Sequence, residues 1–420
     1  GDPTYLVLML FSSFFNYYMG KELGKITDED PSRKRNLIFA VVINLLILGF
    51  FKYWGFFLDT ISGVTGLKLT YPQLALPIGL SFYTFKNLSY ILDIYMGKTE
   101  PCKGFFPYAV YSTMFPHMTA GPIVRYTDIS ESISRRSINT TRLGAGAELF
   151  IKGLSKKVLL ADNLSALYTT LQASGTTSFV GTWLAIGAYT LELYFDFSGY
   201  SDMAIGLGQM LGFNFNKNFD YPYISTSVSE FWRRWHISLG SWFRDYIYIP
   251  LGGNRVSTGR HIRNILVVWA LTGLWHGASW NFVFWGVYYG LLLLAEKFLL
   301  GRFLEKAPVW LRNLYTMFAV IIGWVFFSQT TPATIGKMLG AMFGLGASCF
   351  ADRASLYALK SGLILMIISV ISCRPGLYQY FKRLARRNTY LAAVINAILF
   401  FLCIAYMIYS SYTPFMYQQF

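Results

Sequence analysis

Stretches of about twenty apolar residues, the length needed to cross roughly 30 Å of hydrocarbon, constrain this chain more than anything else in it. Asn36 to Leu58, Phe282 to Phe298, Tyr315 to Phe327, Leu356 to Ser372 and Leu391 to Ser410 each read as a span. Tyr5 to Gly20 and Leu74 to Tyr95 add two more, the second carrying Lys86 and Asp93 on one helix face, spaced for an ion pair. Only 14% of residues are charged and 54% are hydrophobic, whereas ordinary soluble domains are roughly 25% charged. The expectation is an all-α fold, one polytopic transmembrane bundle over residues 1–420 with about ten spans and no soluble domain.

The net charge of +15 is spread over short loops and helix ends. Lys21 to Arg35 and Arg374 to Arg387 therefore read as cytoplasmic loops, where lysine and arginine also attract anionic lipid. An anionic, nucleotide-bearing donor is the second use for such charge. Nucleic acid is excluded as a partner, because there is no soluble basic domain to hold it. Cys102, Cys349, Cys373 and Cys403 are scattered and suit neither a zinc site nor a disulfide framework. No signal peptide is visible. The chain opens at Gly1, without Met and directly before an apolar run, so preceding residues are expected to be missing.

Three segments depart from plain spans. Phe105 to Arg125 is interrupted by Pro107, Pro116, Gly121 and Pro122 and reads as a broken or re-entrant piece, with His117 as a hydrogen-bonded wall residue. Arg142 to Ser165 carries Glu148, Lys152, Lys156 and Lys157 and suits the interface, as does glycine-rich Pro332 to Phe350. Thr182 to Phe213 reads as two apolar segments joined by LYFDFSGYSDMA, with Glu192, Asp196 and Asp202 capping helix ends or organising an ion site. Its GLGQMLG resembles a dinucleotide loop only superficially, since no strand precedes it.

The chemistry concentrates between Ser229 and Trp280. Trp232, Trp235, Leu239, Trp242 and Tyr246 recur at helical spacing, and His236 shares their face one turn after Trp232. Arg233, Arg234, Ser238, Ser241, Arg244 and Asp245 fall mostly on the other side. A Gly252-Gly253-Asn254 turn follows, then an apolar helix with Trp275 and His276. A neutral imidazole in an apolar segment can take a proton. No G-x-S-x-G elbow and no H-E-x-x-H occurs. Two histidines, an Arg/Trp helix and a Gly-Gly-Asn turn suit acyl transfer, which needs a base for the acceptor hydroxyl and a polarising group for the thioester carbonyl. Trp and Arg serve equally well as ordinary interface anchors.

FWRRWHISLGSWFRDYIYIPLGGNR (231–255) and LTGLWHGASWNFVFWG (271–286) resemble the membrane-bound O-acyltransferase family. LPIGLSFYTFKNLSYILDIY (76–95), FPHMTAGPIVRY (115–126), YFDFSGYSDMAIGLGQMLGF (194–213) and SYTPFMYQQF (411–420) extend the resemblance over nearly the whole chain. The likeness is closer to the polysaccharide-acetylating branch, which includes alginate O-acetylation subunits, than to the D-alanyl-transferring branch. It implies further N-terminal helices, a central funnel, and an acetyl relay from a cytoplasmic thioester such as acetyl-CoA. The acceptor would be an extracytoplasmic glycan hydroxyl or a partner acetyltransferase, in a bacterial inner membrane. The family's active-site histidine falls on His276 and its second on His236. Trp232, Arg233, Arg234, Trp235, Arg244, Asp245, Asn254 and Trp275 would line the donor side. The sequence also leaves open D-alanyl transfer, a transporter, and a non-catalytic scaffold.

Overall fold

The structure, a computed structural model, describes residues 3–72, 74–409 and 415. The terminal 411–420 motif thus lies outside the described residues except for Phe415. The described residues form helices and loops without a strand. The helices are α1 (Pro3–Leu23), α2 (Pro31–Leu48), α3 (Trp54–Thr65), α4 (Leu80–Tyr95), α5 (Phe105–Thr113), α6 (Tyr126–Ser134), α7 (Thr140–Ser155), α8 (Asp162–Ala173), α9 (Phe179–Met210) and α10 (Val228–Arg234). They continue as α11 (Ile237–Phe243), α12 (Thr258–His276), α13 (Trp280–Ala295), α14 (Gly301–Lys306), α15 (Val309–Ser328), α16 (Pro332–Met342), α17 (Arg353–Ser372), α18 (Pro375–Arg387) and α19 (Thr389–Tyr409).

Among the described residues, five helical stretches are long and apolar enough to cross a membrane: Pro31–Thr65, Trp280–Lys306, Val309–Ser328, Arg353–Ser372 and Thr389–Tyr409. Their outward rows of Leu, Ile, Val and Phe are exposed, an arrangement that suits lipid and not water. The chain divides into two compact units. One comprises Gly1–Ala147, Ala204–Asn216 and Ser241–Pro250, the other Glu148–Met203, Lys217–Gly240 and Leu251–Phe420.

In the first unit, helices meet through buried polar side chains, the usual glue where lipid offers no hydrophobic drive. Asn16 and Asn44 exchange amide hydrogen bonds of 3.0 and 2.8 Å between α1 and α2. The Asn87 carbonyl on α4 accepts from Tyr108 at 2.8 Å and from Ser112 at 3.1 Å. Lys86 and Asp93 do not form the pair their spacing suggests. Lys86 Nζ donates to the Ser112 carbonyl at 2.5 Å and lies 3.3 Å from His117 Nδ1. Asp93 instead accepts from the Tyr246 hydroxyl at 2.8 Å, with Lys98 at 3.7 Å. Two turns of separation put each within reach of a different neighbour, and the nearer partners win. The broken segment appears as expected: α5 stops at Thr113 and a single 3₁₀ turn, Phe115–His117, follows.

In the second unit, the expected break in Thr182 to Phe213 is absent, because α9 is one helix of 32 residues. Its carboxylates cap nothing. Asp202 takes Lys156 at 2.8 Å and Lys152 at 3.3 Å, while Lys157 bridges Asp196 at 2.8 Å and Asp162 at 2.7 Å. Three lysines thus neutralise three aspartates, which lets a charged helix stay buried. Close approach makes this possible, since a Cβ at Gly199 would come 2.8 Å from the Gly153 carbonyl oxygen.

Candidate active site

The aromatic periodicity predicts one helix through Trp232 to Tyr246, and the structure corrects it. α10 ends at Arg234, Trp235 is extended, and His236 turns left-handed at φ 44° before α11 begins at Ile237. Such a φ is uncommon outside glycine and needs its surroundings to enforce it. Here the backbone of 218–220 does so: the Asp220 amide donates to the Arg234 carbonyl, and the Ile237 amide to the Asn218 carbonyl, both at 2.9 Å. The front of α10 is fixed as well. Glu296 accepts from the amides of Val228 (2.5 Å) and Ser229 (2.9 Å) and from the Ser229 hydroxyl (2.8 Å), satisfying donors a helix start leaves open.

The break aims His236 inward, where it is 1% exposed. Its Nδ1 lies 3.2 Å from Asn218 Oδ1, and its ring sits against Phe197 (4.7 Å) and Trp275 (5.9 Å). His276 is the last residue of α12 and is ringed by Trp275 (5.1 Å), Trp285 (4.8 Å) and Phe327 (5.3 Å). Trp275 therefore touches both imidazoles. Two glycines set the position of His276. A Cβ at Gly273 would overlap the Phe282 carbonyl oxygen, and one at Gly286 the Trp269 carbonyl oxygen, so α12 and α13 pack backbone to backbone.

Of the other residues singled out by sequence, Trp232 and Trp235 join the same aromatic body. Trp232 packs on Trp269 (4.7 Å) and Tyr289 (4.8 Å), and Trp235 is buried against Trp324 (4.9 Å) and Phe219 (5.1 Å). Arg234 is held by Glu230 at 2.8 Å and Asp220 at 3.4 Å, whereas Arg233 is exposed. Asn254 is exposed on its turn, where Gly252 and Gly253 take φ 96° and 58°. Arg244 and Asp245 belong to the first unit. There Asp245 binds Arg125 at 2.8 Å. Burial alone would raise the Asp245 carboxyl, but hydrogen bonds from Arg244 and Arg125 hold it below its ordinary range. Among the described residues, no three His, Cys, Asp or Glu side chains gather to hold a metal ion.

Sequence reading missed Asn218, Glu296 and Asn264. Asn264 donates to the carbonyls of Leu251 (3.1 Å) and Gly253 (3.0 Å) and so pins the glycine turn. Each acts on a segment distant in the chain, and no local spacing announces it.

Residues 102–336, more than half of the 420 positions, match the model of MBOAT, the membrane-bound O-acyltransferase family. The chain belongs to that family. It is 40% identical to the probable alginate O-acetylase AlgI of Azotobacter vinelandii over 90% of this chain and 77% of the relative. Against the peptidoglycan O-acetyltransferase of Helicobacter pylori it is 32% identical, over 82% of this chain and 71% of the relative. Against the teichoic acid D-alanyltransferase of Bacillus subtilis the identity is 26%, over 62% and 67%. The protein is a multi-pass membrane O-acyltransferase, and both histidines of this O-acyltransferase lie inside the matched range.

Proposed function

We propose that this O-acyltransferase takes an acetyl group from a cytoplasmic thioester, acetyl-CoA, and delivers it to a hydroxyl of an extracytoplasmic polysaccharide, directly or through a partner acetyltransferase, in a bacterial inner membrane. The observation that carries the reading is the convergence of His236 and His276 on Trp275 within one unit. Likeness to proteins named for alginate and peptidoglycan O-acetylation supports acetyl and a glycan. Likeness to the D-alanyl-transferring relatives covers less of this chain, 62% and 51%, at 26% and 30% identity.

His276 takes the proton of the acceptor hydroxyl while its oxygen attacks the thioester carbonyl. The carbon–oxygen bond forms, the carbon–sulfur bond breaks, and the proton passes to the departing thiolate, leaving an acetyl ester and a free thiol. His236 orients a substrate beside it. The exposed guanidinium group of Arg233, in the same unit as both histidines, suits a donor phosphate. The aromatic body of Trp232, Trp235 and Trp275 excludes water, which protects the thioester from hydrolysis.

The test is transfer from radiolabelled acetyl-CoA in reconstituted vesicles, with wild type, His276→Ala and His236→Ala compared at equal protein. Loss of transfer in His276→Ala supports the assignment. Undiminished transfer in both variants assigns the chemistry to another protein and leaves this chain a conduit or scaffold.

A further inference from the structure

Asn218 lies on the irregular segment between α9 and α10, is 1% exposed, and stands beside His236. Its side-chain oxygen is a three-way acceptor. The Ser238 amide donates to it at 3.2 Å and the Ser238 hydroxyl at 2.9 Å, and His236 Nδ1 stands at 3.2 Å. A backbone N–H can only donate, so the atom facing it is the amide oxygen and not the nitrogen. The nitrogen points the other way and donates to Ser201 Oγ on α9 at 3.1 Å. The orientation of Asn218 is thus fixed from both ends. An oxygen with no hydrogen of its own cannot donate to His236, so the proton of that contact sits on Nδ1. Ser238 Oγ, 3.4 Å from the same nitrogen, has given its proton to Asn218 and can likewise only accept.

We propose that Asn218 is a positioning residue that fixes His236 as the neutral tautomer protonated at Nδ1, so that His236 meets the acceptor substrate through a lone pair on Nε2. The inference rests on the acetyl-to-glycan reading for its substrate and on geometry alone for its tautomer. In this tautomer His236 gives no hydrogen bond to the thioester carbonyl and takes one from a hydroxyl. A sugar offers neighbouring hydroxyls, one to be deprotonated by His276 and the next to be held by His236. The hydrogen-bonding partners Asn218, Ser201 and Ser238 are neutral. Among the charged groups on the packed elements, Asp196 is matched with Lys157 and Asp202 with Lys156 by α9, and Arg234 with Glu230 and Asp220 by α10, while Glu192 on α9 is buried and Arg233 on α10 is exposed. On α12, the neighbour is Trp275, followed by His276.

The deciding experiment is ring-¹⁵N NMR of histidine-labelled full-length protein in lipid nanodiscs, with the His236 signals identified by their loss in His236→Gln. The expected wild-type result is a protonated Nδ1 and a bare Nε2. Asn218→Ala loses that preference. Asn218→Asp keeps it and raises the pH at which imidazolium forms by about one to three pH units, because a carboxylate favours the cation. A purely structural asparagine would not move that pH. A wild-type ring protonated at Nε2, or titration unchanged in Asn218→Asp, overturns the proposal. If Asn218→Ala does not fold, wild type and Asn218→Asp decide between them. Acetyl transfer is measured on the same samples. A wild type that carries the expected tautomer but transfers no acetyl overturns the functional reading and leaves the positioning role standing.

Discussion

His117 and His236 are both buried, yet their Nδ1 atoms are used in opposite senses. In the first unit Nδ1 of His117 lies 3.3 Å from Lys86 Nζ, which in its charged form can only donate, so that Nδ1 accepts from the charged lysine and the ring proton then belongs on Nε2. In the second unit Nδ1 of His236 faces the Asn218 oxygen, so it donates. His117 thus backs a buried lysine, whereas His236, on the proposed reading, offers a lone pair to a substrate. One residue type, equally hidden from water, becomes masonry in one place and a tool in the other, and a single neighbour decides which. Burial alone would not have told them apart.

The sharpest contrast comes from deletion. His276→Ala lowers acetyl transfer about 10²- to 10⁴-fold, the usual contribution of a general base. His117→Gln leaves transfer within about threefold at equal folded protein, as labelled-acetyl assays would show. A large loss in His117→Gln would erase the distinction between the two regions.

Next in size is the glycine seam below His276. Gly286→Ala inserts a methyl where the Trp269 carbonyl already sits, at a cost of about 1–3 kcal/mol. The expected outcome is a lower thermal midpoint together with weaker transfer, since α12 carries His276 at its end. Transfer at the wild-type level would mean that the helix pair tolerates separation.

Lys86 in the first unit gives an effect on stability of similar size, without the loss of transfer. Lys86→Met strands the Ser112 carbonyl and His117 Nδ1, costing about 1–3 kcal/mol. In the double variant Lys86→Met/His117→Phe part of that loss returns, because the second polar group has left as well. A double-mutant cycle on thermal unfolding measures the coupling, and strict additivity would show that the contact contributes nothing.

The smallest effect lies away from both histidines. Asp352 caps α17 by accepting from the Ser355 amide at 2.7 Å. The Thr176 hydroxyl and the Ser355 amide hold its carboxyl below the ordinary 3.8. A lowered value means its stabilisation is complete above pH 3.8 and fades as pH falls through the folded value. Asp352→Ala costs about 0.5–2 kcal/mol near neutrality, and the gap to wild type closes in acid, as unfolding at several pH values would reveal.

Apolar length and low charge suffice to read the membrane class, and Pro116 with its neighbours marks the break after α5. Trp275 and His276 stand out in sequence because an imidazole is rare in so apolar a run. The Trp235–His236 break leaves no such mark. It contains neither Gly nor Pro, and its aromatics keep helical spacing up to and beyond the break. What imposes it is hydrogen bonding from the backbone of 218–220, a contact across the chain that local propensity cannot encode. The same holds for α9, whose acidic residues look like interruptions until the lysines around residue 156 are brought beside them.

Those lysines carry a consequence for biogenesis. An isolated α9 holding Asp196 and Asp202 is a poor candidate for lateral release into lipid, and the lysine-bearing segment from Lys152 to Lys157 is no better. Their charges cancel only as a pair. The two segments are therefore expected to become buried as partners, the earlier-made lysine segment waiting for α9. A charge-reversing change in either would be met first by the insertion machinery, before any acyl group is moved.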